Sequence, residues 1–136
     1  MKEIVILGAG YAGLRALHVL QKSAADIHIT LVDRNDYHYE ATSLHEVAAG
    51  TQPDEKICYK IKDVINPNKT VFVQDTVEKI DADKKEVYLE NQKLSYDYLI
   101  VGLGFQSESF GIPGVKENAL EMVDVKTADQ VHKHII

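Results

Sequence analysis

The sequence predicts an α/β fold: a parallel sheet in which a β-meander takes the place of one helical crossover. Three observations lead there. An apolar strand, Ile4-Val5-Ile6-Leu7, runs straight into Gly8-Ala9-Gly10-Tyr11-Ala12-Gly13, and a second, Ile27-His28-Ile29-Thr30-Leu31-Val32, ends on the acid Asp33. Residues 70–90 then hold three β-rich runs where plain α/β alternation would put a helix. Finally, Tyr98-Leu99-Ile100-Val101 is another apolar strand, and it ends in two further glycines, Gly102 and Gly104.

Each glycine of the first turn has a physical task. Gly8 allows the tight turn off the strand, Gly10 lets the backbone approach phosphates, and Gly13 lets helix and sheet pack closely. The helix that starts here points its unpaired N–H groups and positive dipole end at an anion, with no lysine needed. Asp33 follows Gly13 by 20 residues, at a strand end where a carboxylate can accept hydrogen bonds from both hydroxyls of a ribose. A bare G-x-G-x-x-G is weak evidence. Here strand, glycines, helix, second strand and acid occur in the required order, which makes a site for the pyrophosphate and ribose of a dinucleotide. The carboxylate would repel the extra phosphate of NADP. Arg34 weakens that exclusion and lies either along the adenine face or in solvent. On this motif alone FAD and NAD both remain open.

Leu14, Leu17 and Leu20 share one face of the first helix, with Ala12 and Ala16 letting it sit close to the sheet; it is expected to fray near Ala25. A tyrosine-rich connection follows, then a short helix over residues 41–49 closed by Gly50, and Pro53 forces an extended path. Residues 57–65 read equally as strand or helix, and Asn66-Pro67-Asn68 is a turn. The β-rich runs are Thr70–Gln74, Val77–Asp81 and residues 86–90, the last two joined by the solvated hairpin Ala82-Asp83-Lys84-Lys85. Leu99, Ile100 and Val101 are expected to be buried on both faces, as central parallel strands are. Residues 105–114 form a loop containing Pro113, and a helix from Thr127 closes the chain with Val131 and Ile135 on one face.

With 136 residues the chain fits one domain with a real core. Its net charge of −6 and scattered lysines argue against a nucleic-acid partner. Nothing reads as a secretory signal or a membrane span, so a cytoplasmic location is expected. Cys58 is the single cysteine and reads as a small, partly buried apolar residue; neither a disulfide within the chain nor a cysteine-based metal site can be built. His132 and His134 do not share a helix face, and no metal is expected. The last helix stops on Ile135-Ile136 without a glycine, which suggests a fragment of a longer polypeptide.

The order β-α-β, meander, glycine-ended strand resembles the two-dinucleotide-binding-domain flavoproteins, with their Rossmann-like FAD/NAD(P)-binding fold. Within that group the chain is similar to the type II NADH dehydrogenases, single-subunit flavoenzymes that pass electrons from NADH to quinone. The resemblance rests on Ile6-Leu7-Gly8-Ala9-Gly10-Tyr11-Ala12-Gly13-Leu14, Asp33-Arg34-Asn35-Asp36-Tyr37-His38-Tyr39, His45-Glu46-Val47-Ala48-Ala49-Gly50-Thr51 and Phe110-Gly111-Ile112-Pro113-Gly114. The second and third stretches are far more specific than the glycine turn. Such enzymes are much longer, and this chain would cover about their first third.

Several things follow from the resemblance. Gly8, Gly10, Tyr11, Ala12 and Gly13 would cradle the FAD pyrophosphate, and Asp33, with Arg34 beside it, would hold the adenosine end. Val77 would meet the adenine through its backbone. Gly102 and Gly104 would form a second turn near the cofactor, although Leu103 departs from the Thr or Ser usual there. Thr42 would lie towards the isoalloxazine, or else serve only to start its helix. Residues 1–110 would be the N-terminal part of the FAD-binding domain, and residues 111–136 a connection leading to an NADH-binding domain outside this chain. The full-length enzyme would pass hydride from NADH to FAD and two electrons on to quinone. It would rest on the cytoplasmic face of the membrane through later segments, and a homodimer is compatible with it. Glu40, His38, His45 and Glu46 invite proton-transfer roles, but solvated or hydrogen-bonded structural roles are favoured for each. The family's disulfide reductases carry an early cysteine pair that this chain lacks, which excludes thiol-disulfide chemistry within it. Competing readings are another flavoprotein reductase, such as a sulfide:quinone oxidoreductase, and a non-catalytic module that senses NAD or FAD.

Overall fold

The structure, a computed structural model, describes residues 1–136. In chain order it contains β1 (Lys2–Leu7), α1 (Tyr11–Gln21), β2 (Ile27–Asp33), β3 (Tyr37–Tyr39), α2 (Leu44–Ala49), β4 (Cys58–Lys60), β5 (Thr70–Gln74), β6 (Val77–Asp81), β7 (Glu86–Leu89), β8 (Lys93–Ser95), β9 (Tyr98–Val101), α3 (Val115–Asn118) and α4 (Val125–Ile135). These divide into two compact units. Met1–His38 with Lys60–Gly104 forms one, and Tyr39–Tyr59 with Phe105–Ile136 the other.

In the first unit, β5, β2, β1 and β9 make a parallel sheet in that order. Successive side chains of a strand point to opposite faces. Ile4, Ile6, Ile29 and Leu31 therefore pack on one side with Leu17, Leu14, Ala16 and Leu20 of α1, while Val5, Leu7 and Val32 pack on the other with Val87 and Leu89 of β7. Both faces are covered, and so β1 and β2 read as continuous apolar runs rather than as alternations. Full burial of each such side chain stabilises by about 1.5–3 kcal/mol. The register sets Leu7 beside Val32 on one flank and beside Val101 on the other. Three strands thus end level, and the glycines and Asp33 emerge together at their carboxyl ends.

Of the three β-rich runs, the first is β5 and joins the parallel sheet beside β2. The other two, β6 and β7, pair antiparallel with β8 as the meander; β8 is too short to have shown in the sequence. Helix α1 stops at Gln21, short of Ala25, because the Ser23 hydroxyl accepts the Ala25 N–H and turns the chain out of the helix. The ambiguous stretch 57–65 resolves into β4 and a 3₁₀ turn, Ile61–Asp63, whose Ile61 is completely buried against the α1 side of the sheet. Strand β9 corrects an expectation: Leu99 and Ile100 are only half-buried, and Val101 is 58% exposed. It is the edge strand, with β1 its one neighbour, so its side chains lack the double cover of β1. Separately, β3 and β4 form a two-stranded sheet.

In the second unit, a 3₁₀ turn at Ala41–Ser43 leads into α2, which ends at Gly50 in the left-handed conformation (φ 74°). Leu44, Val47 and Ala48 of α2 are buried, as are Val125 and Ala128 of α4, and the two helices pack together. Helix α4 starts earlier than Thr127. The Asp124 carboxylate accepts the Thr127 N–H at 2.8 Å while the Thr127 hydroxyl accepts the Asp124 N–H at 3.0 Å, a reciprocal cap. Val131 is half-buried but Ile135 is 71% exposed, so the expected shared face holds only at its first member.

Candidate functional site

The turn after β1 is built by contacts that only hydrogen atoms on Cα permit. Gly8 has φ +96°, and its N–H donates to the Val32 carbonyl at 2.7 Å. A Cβ on Gly8 would lie 2.0 Å from the Gly102 carbonyl oxygen, and one on Gly13 would lie 1.8 Å from the Gly8 carbonyl oxygen. Gly102 in turn donates its N–H to the Leu7 carbonyl at 2.7 Å. The two glycine-ended strands therefore sit backbone to backbone, with the start of α1 pressed onto the first. Gly10 is different. Its φ of −76° suits any residue, and a Cβ there would meet nothing within 4 Å. The fold does not demand a glycine at this place. The open ground lies at the N-terminus of α1, where no side chain caps the helix and the first turn holds no acid, an arrangement whose positive dipole end can face an anion.

Between the glycines, Ala9 is 2% exposed and held at both of its backbone groups. Its N–H donates to Asp33 Oδ2 at 2.7 Å, and its carbonyl lies 2.8 Å from His38 Nδ1. Asp33 Oδ1 also accepts the Asn35 N–H at 2.8 Å. An ionised carboxylate offers about four acceptor positions, so Asp33 keeps capacity for further donors. The edge of one ring meets the face of the other where Tyr11 and His38 approach, with centroids 5.2 Å apart at 80°.

Beside this turn, Gln74 of β5 pairs with Asp33, and the Asp75 N–H donates to the Asp33 carbonyl at 3.0 Å. Asp75 is itself 7% exposed, and its carboxylate accepts the N–H groups of Thr76 (2.7 Å) and Asn91 (3.2 Å) and the Asn91 side-chain amide (3.1 Å). It ties the end of β5 to the β7–β8 turn and so sets where Val77 begins the edge strand of the meander. No sequence signal marks Asp75 or the Ala9 contacts of His38. Both depend on segments far apart in the chain.

Gly8, Gly10, Tyr11, Ala12, Gly13, Asp33 and Gly102 come together at the carboxyl edge of the sheet. Arg34 is exposed next to Asp33, and Gly104 takes φ +82° with open space around it. Thr42 belongs to the second unit, as the exposed middle residue of the turn Ala41–Ser43; the capping positions are Glu40 and Ser43. In that unit Glu40 accepts the Tyr59 hydroxyl, the Glu46 carbonyl accepts from Thr51, and His45 is exposed. The half-buried Cys58 thiol is pushed above its ordinary value by burial, then by the charges of Asp54 and Glu55, which disfavours the reactive thiolate.

A parallel sheet whose β1–α1 turn is glycine-built and whose β2 ends on an acid, with a meander on one face, defines a Rossmann-type FAD/NAD(P)-binding fold. Residues 2–135 match the family described as pyridine nucleotide-disulphide oxidoreductase, and the chain belongs to that family. It is similar to the type II NADH:quinone oxidoreductases of Staphylococcus saprophyticus and Staphylococcus aureus, at 46% identity over 98% of this chain and 34% of each relative. The chain thus spans about a third of the length of the curated relatives it matches. Among solved structures it resembles the sulfide:quinone oxidoreductase from Aquifex aeolicus, with TM-score 0.90 and 26% identity over 99% of this chain and 32% of that one. It also resembles the NDH2 from Plasmodium falciparum in complex with NADH, with TM-score 0.84 and 25% identity over 97% of this chain and 28% of that one. No helix of this chain is long and apolar enough to cross a membrane.

Proposed function

We propose that this chain is the FAD-binding N-terminal portion of a flavin-dependent NADH:quinone oxidoreductase. The observation that carries the reading is the open ground at Gly10. The N-terminus of α1 with no side-chain cap, a Gly10 whose side chain the fold does not exclude, and a carboxylate with spare acceptor positions meet there. These residues fit a pyrophosphate joined to a ribose. The amides at Gly10, Tyr11, Ala12 and Gly13 would hold the pyrophosphate, and Asp33 the ribose hydroxyls. The Val77 backbone and the exposed Arg34 would flank the adenine. Gly8 and Gly102 keep the two turns in contact, Gly104 continues the second, and Thr42 would lie towards the isoalloxazine. When bound, FAD supplies a carrier of two electrons between NADH and quinone. This chain's own part is to bind and orient the adenosine end. Residues 111–136 would lead to the NADH-binding part of the whole protein, and contact with quinone and with the cytoplasmic face of a membrane would fall to that further polypeptide.

The test is reconstitution of the purified chain with FAD, followed by removal of free ligand. Retained flavin absorbance with tight binding supports the proposal, whereas tight NAD binding with no flavin retained sinks it. The likeness to the Aquifex sulfide:quinone oxidoreductase favours one alternative, a flavoprotein that takes electrons from sulfide. Assays of the whole protein with NADH and with sulfide as donor separate the two.

A further inference from the structure

We infer that His38 is the positioning residue of the glycine turn, aiming the Gly10 N–H at the phosphate of the bound nucleotide. The inference rests on the dinucleotide reading above. A peptide unit is planar, and in the trans form its C=O and N–H point in opposite directions; the chain has no cis peptide. Fixing one end of the unit therefore fixes the other. The unit between Gly8 and Ala9 is fixed by Asp33, whose Oδ2 accepts the Ala9 N–H at 2.7 Å. The next unit, between Ala9 and Gly10, is fixed by His38, whose Nδ1 stands 2.8 Å from the Ala9 carbonyl. With that carbonyl turned to the imidazole, the Gly10 N–H must face the other way.

The device answers a problem that the turn creates. Gly10 has no Cβ, and glycine populates positive and negative φ about equally, so the peptide in front of it would be free to flip. A flip would swap the N–H for a carbonyl oxygen and present an acceptor to a phosphate. Ala9 is 2% exposed, so its carbonyl also needs a partner inside the protein. Because a carbonyl has no hydrogen to give, the hydrogen of this bond sits on His38 Nδ1. The edge-on contact with Tyr11, the first residue of α1, holds the imidazole against the same turn. His38 lies 29 residues from Ala9 in sequence, and it acts through the backbone rather than on the ligand.

Calorimetric titration of the 136-residue chain with ADP and with FAD tests this, alongside His38→Leu, which removes the donor, and His38→Asn, whose side-chain amide can place an N–H where Nδ1 stands. The expected result is that His38→Leu weakens both ligands by about tenfold while His38→Asn stays within about threefold of the unmodified chain. Nitrogen-15 spectra of the ligand-free chain should show a hydrogen on His38 Nδ1, a readout that holds even if the leucine variant fails to fold. Binding left intact in His38→Leu, or weakened equally in both variants, overturns the inference, and so does a hydrogen found on Nε2 with Nδ1 bare. An unmodified chain that binds neither ADP nor FAD overturns the dinucleotide reading itself.

Discussion

Two glycines three residues apart should respond to the same substitution in opposite ways. At Gly10 an added Cβ meets nothing within 4 Å, and φ −76° is ordinary for alanine. Gly10→Ala then carries two small opposing terms. Reduced freedom of the unfolded chain stabilises by about 0.4–1 kcal/mol, and alanine is a poorer N-cap than glycine by a similar amount, of order 1 kcal/mol. The net change in stability is expected within about 1 kcal/mol of zero. At Gly13 the Cβ falls 1.8 Å from the Gly8 carbonyl oxygen and 2.9 Å from its carbon, both backbone atoms that no rotamer change can move. Relief needs a shift of α1 against β1, at a cost of about 3 kcal/mol or more. For a chain of this size that is a fall in melting temperature of about 10 °C. Binding should invert the ranking of what survives: Gly10→Ala keeps the fold and loses at least about tenfold in FAD affinity, or 1.4 kcal/mol. Chemical denaturation and FAD titration of both variants make the test. A folded Gly10→Ala chain with undiminished FAD affinity would refute the assignment of that open ground to the phosphates, and a Gly13→Ala chain as stable as the parent would refute the packing argument.

Three further outcomes are expected. Asp75→Ala strips the acceptor from three nitrogen donors near Asp33 and should destabilise by about 2–3 kcal/mol; a loss below about 0.5 kcal/mol in denaturant melts would contradict it. Gly50→Ala combines left-handed strain of about 1–2 kcal/mol with a clash, since its Cβ would lie 2.3 Å from the His132 ring. A double-mutant cycle with His132→Ala should recover the clash and leave the strain, and full additivity of the two changes would rule out the contact. On the meander, hydrogen bonds from Lys93 and then Tyr88 hold the Glu86 carboxyl below the ordinary glutamate value. Its folded value is thus lower than its unfolded one, so whatever stability it contributes is present above the unfolded value and is lost as pH falls through the folded one. An NMR titration should place Glu86 below the ordinary range and return it upward in Lys93→Met; equal midpoints in the two chains would disprove the coupling.

Much of the fold was legible because its signals are local. Apolar runs in β1 and β2 state that both faces of a sheet are covered, Gly50 states a left-handed helix end, and Gly8 a turn of positive φ. Val101 misled for the same reason: its apolar run is that of a central strand, yet no neighbour lies beyond β9, and a run of side chains does not say how many strands flank it. The cap of α4 is not legible in the sequence because Asp124-Val125-Lys126-Thr127 reverses the usual chemistry of the pair, with the acid first and the hydroxyl fourth.

By itself, the sequence determined that a glycine turn joins an apolar strand to a helix, that an acid ends the next strand, and that family-specific segments follow. Each is a property of neighbouring residues. Only the tertiary structure decided which glycines the fold requires and which it does not. Gly8 and Gly13 are closed off by the backbones of Gly102 and Gly8, while Gly10 opens on empty ground. It also recruited His38 and Asp75, for a physical reason: a hydrogen bond to a backbone group leaves no periodic mark, and its partner is chosen by where the fold brings the chain back.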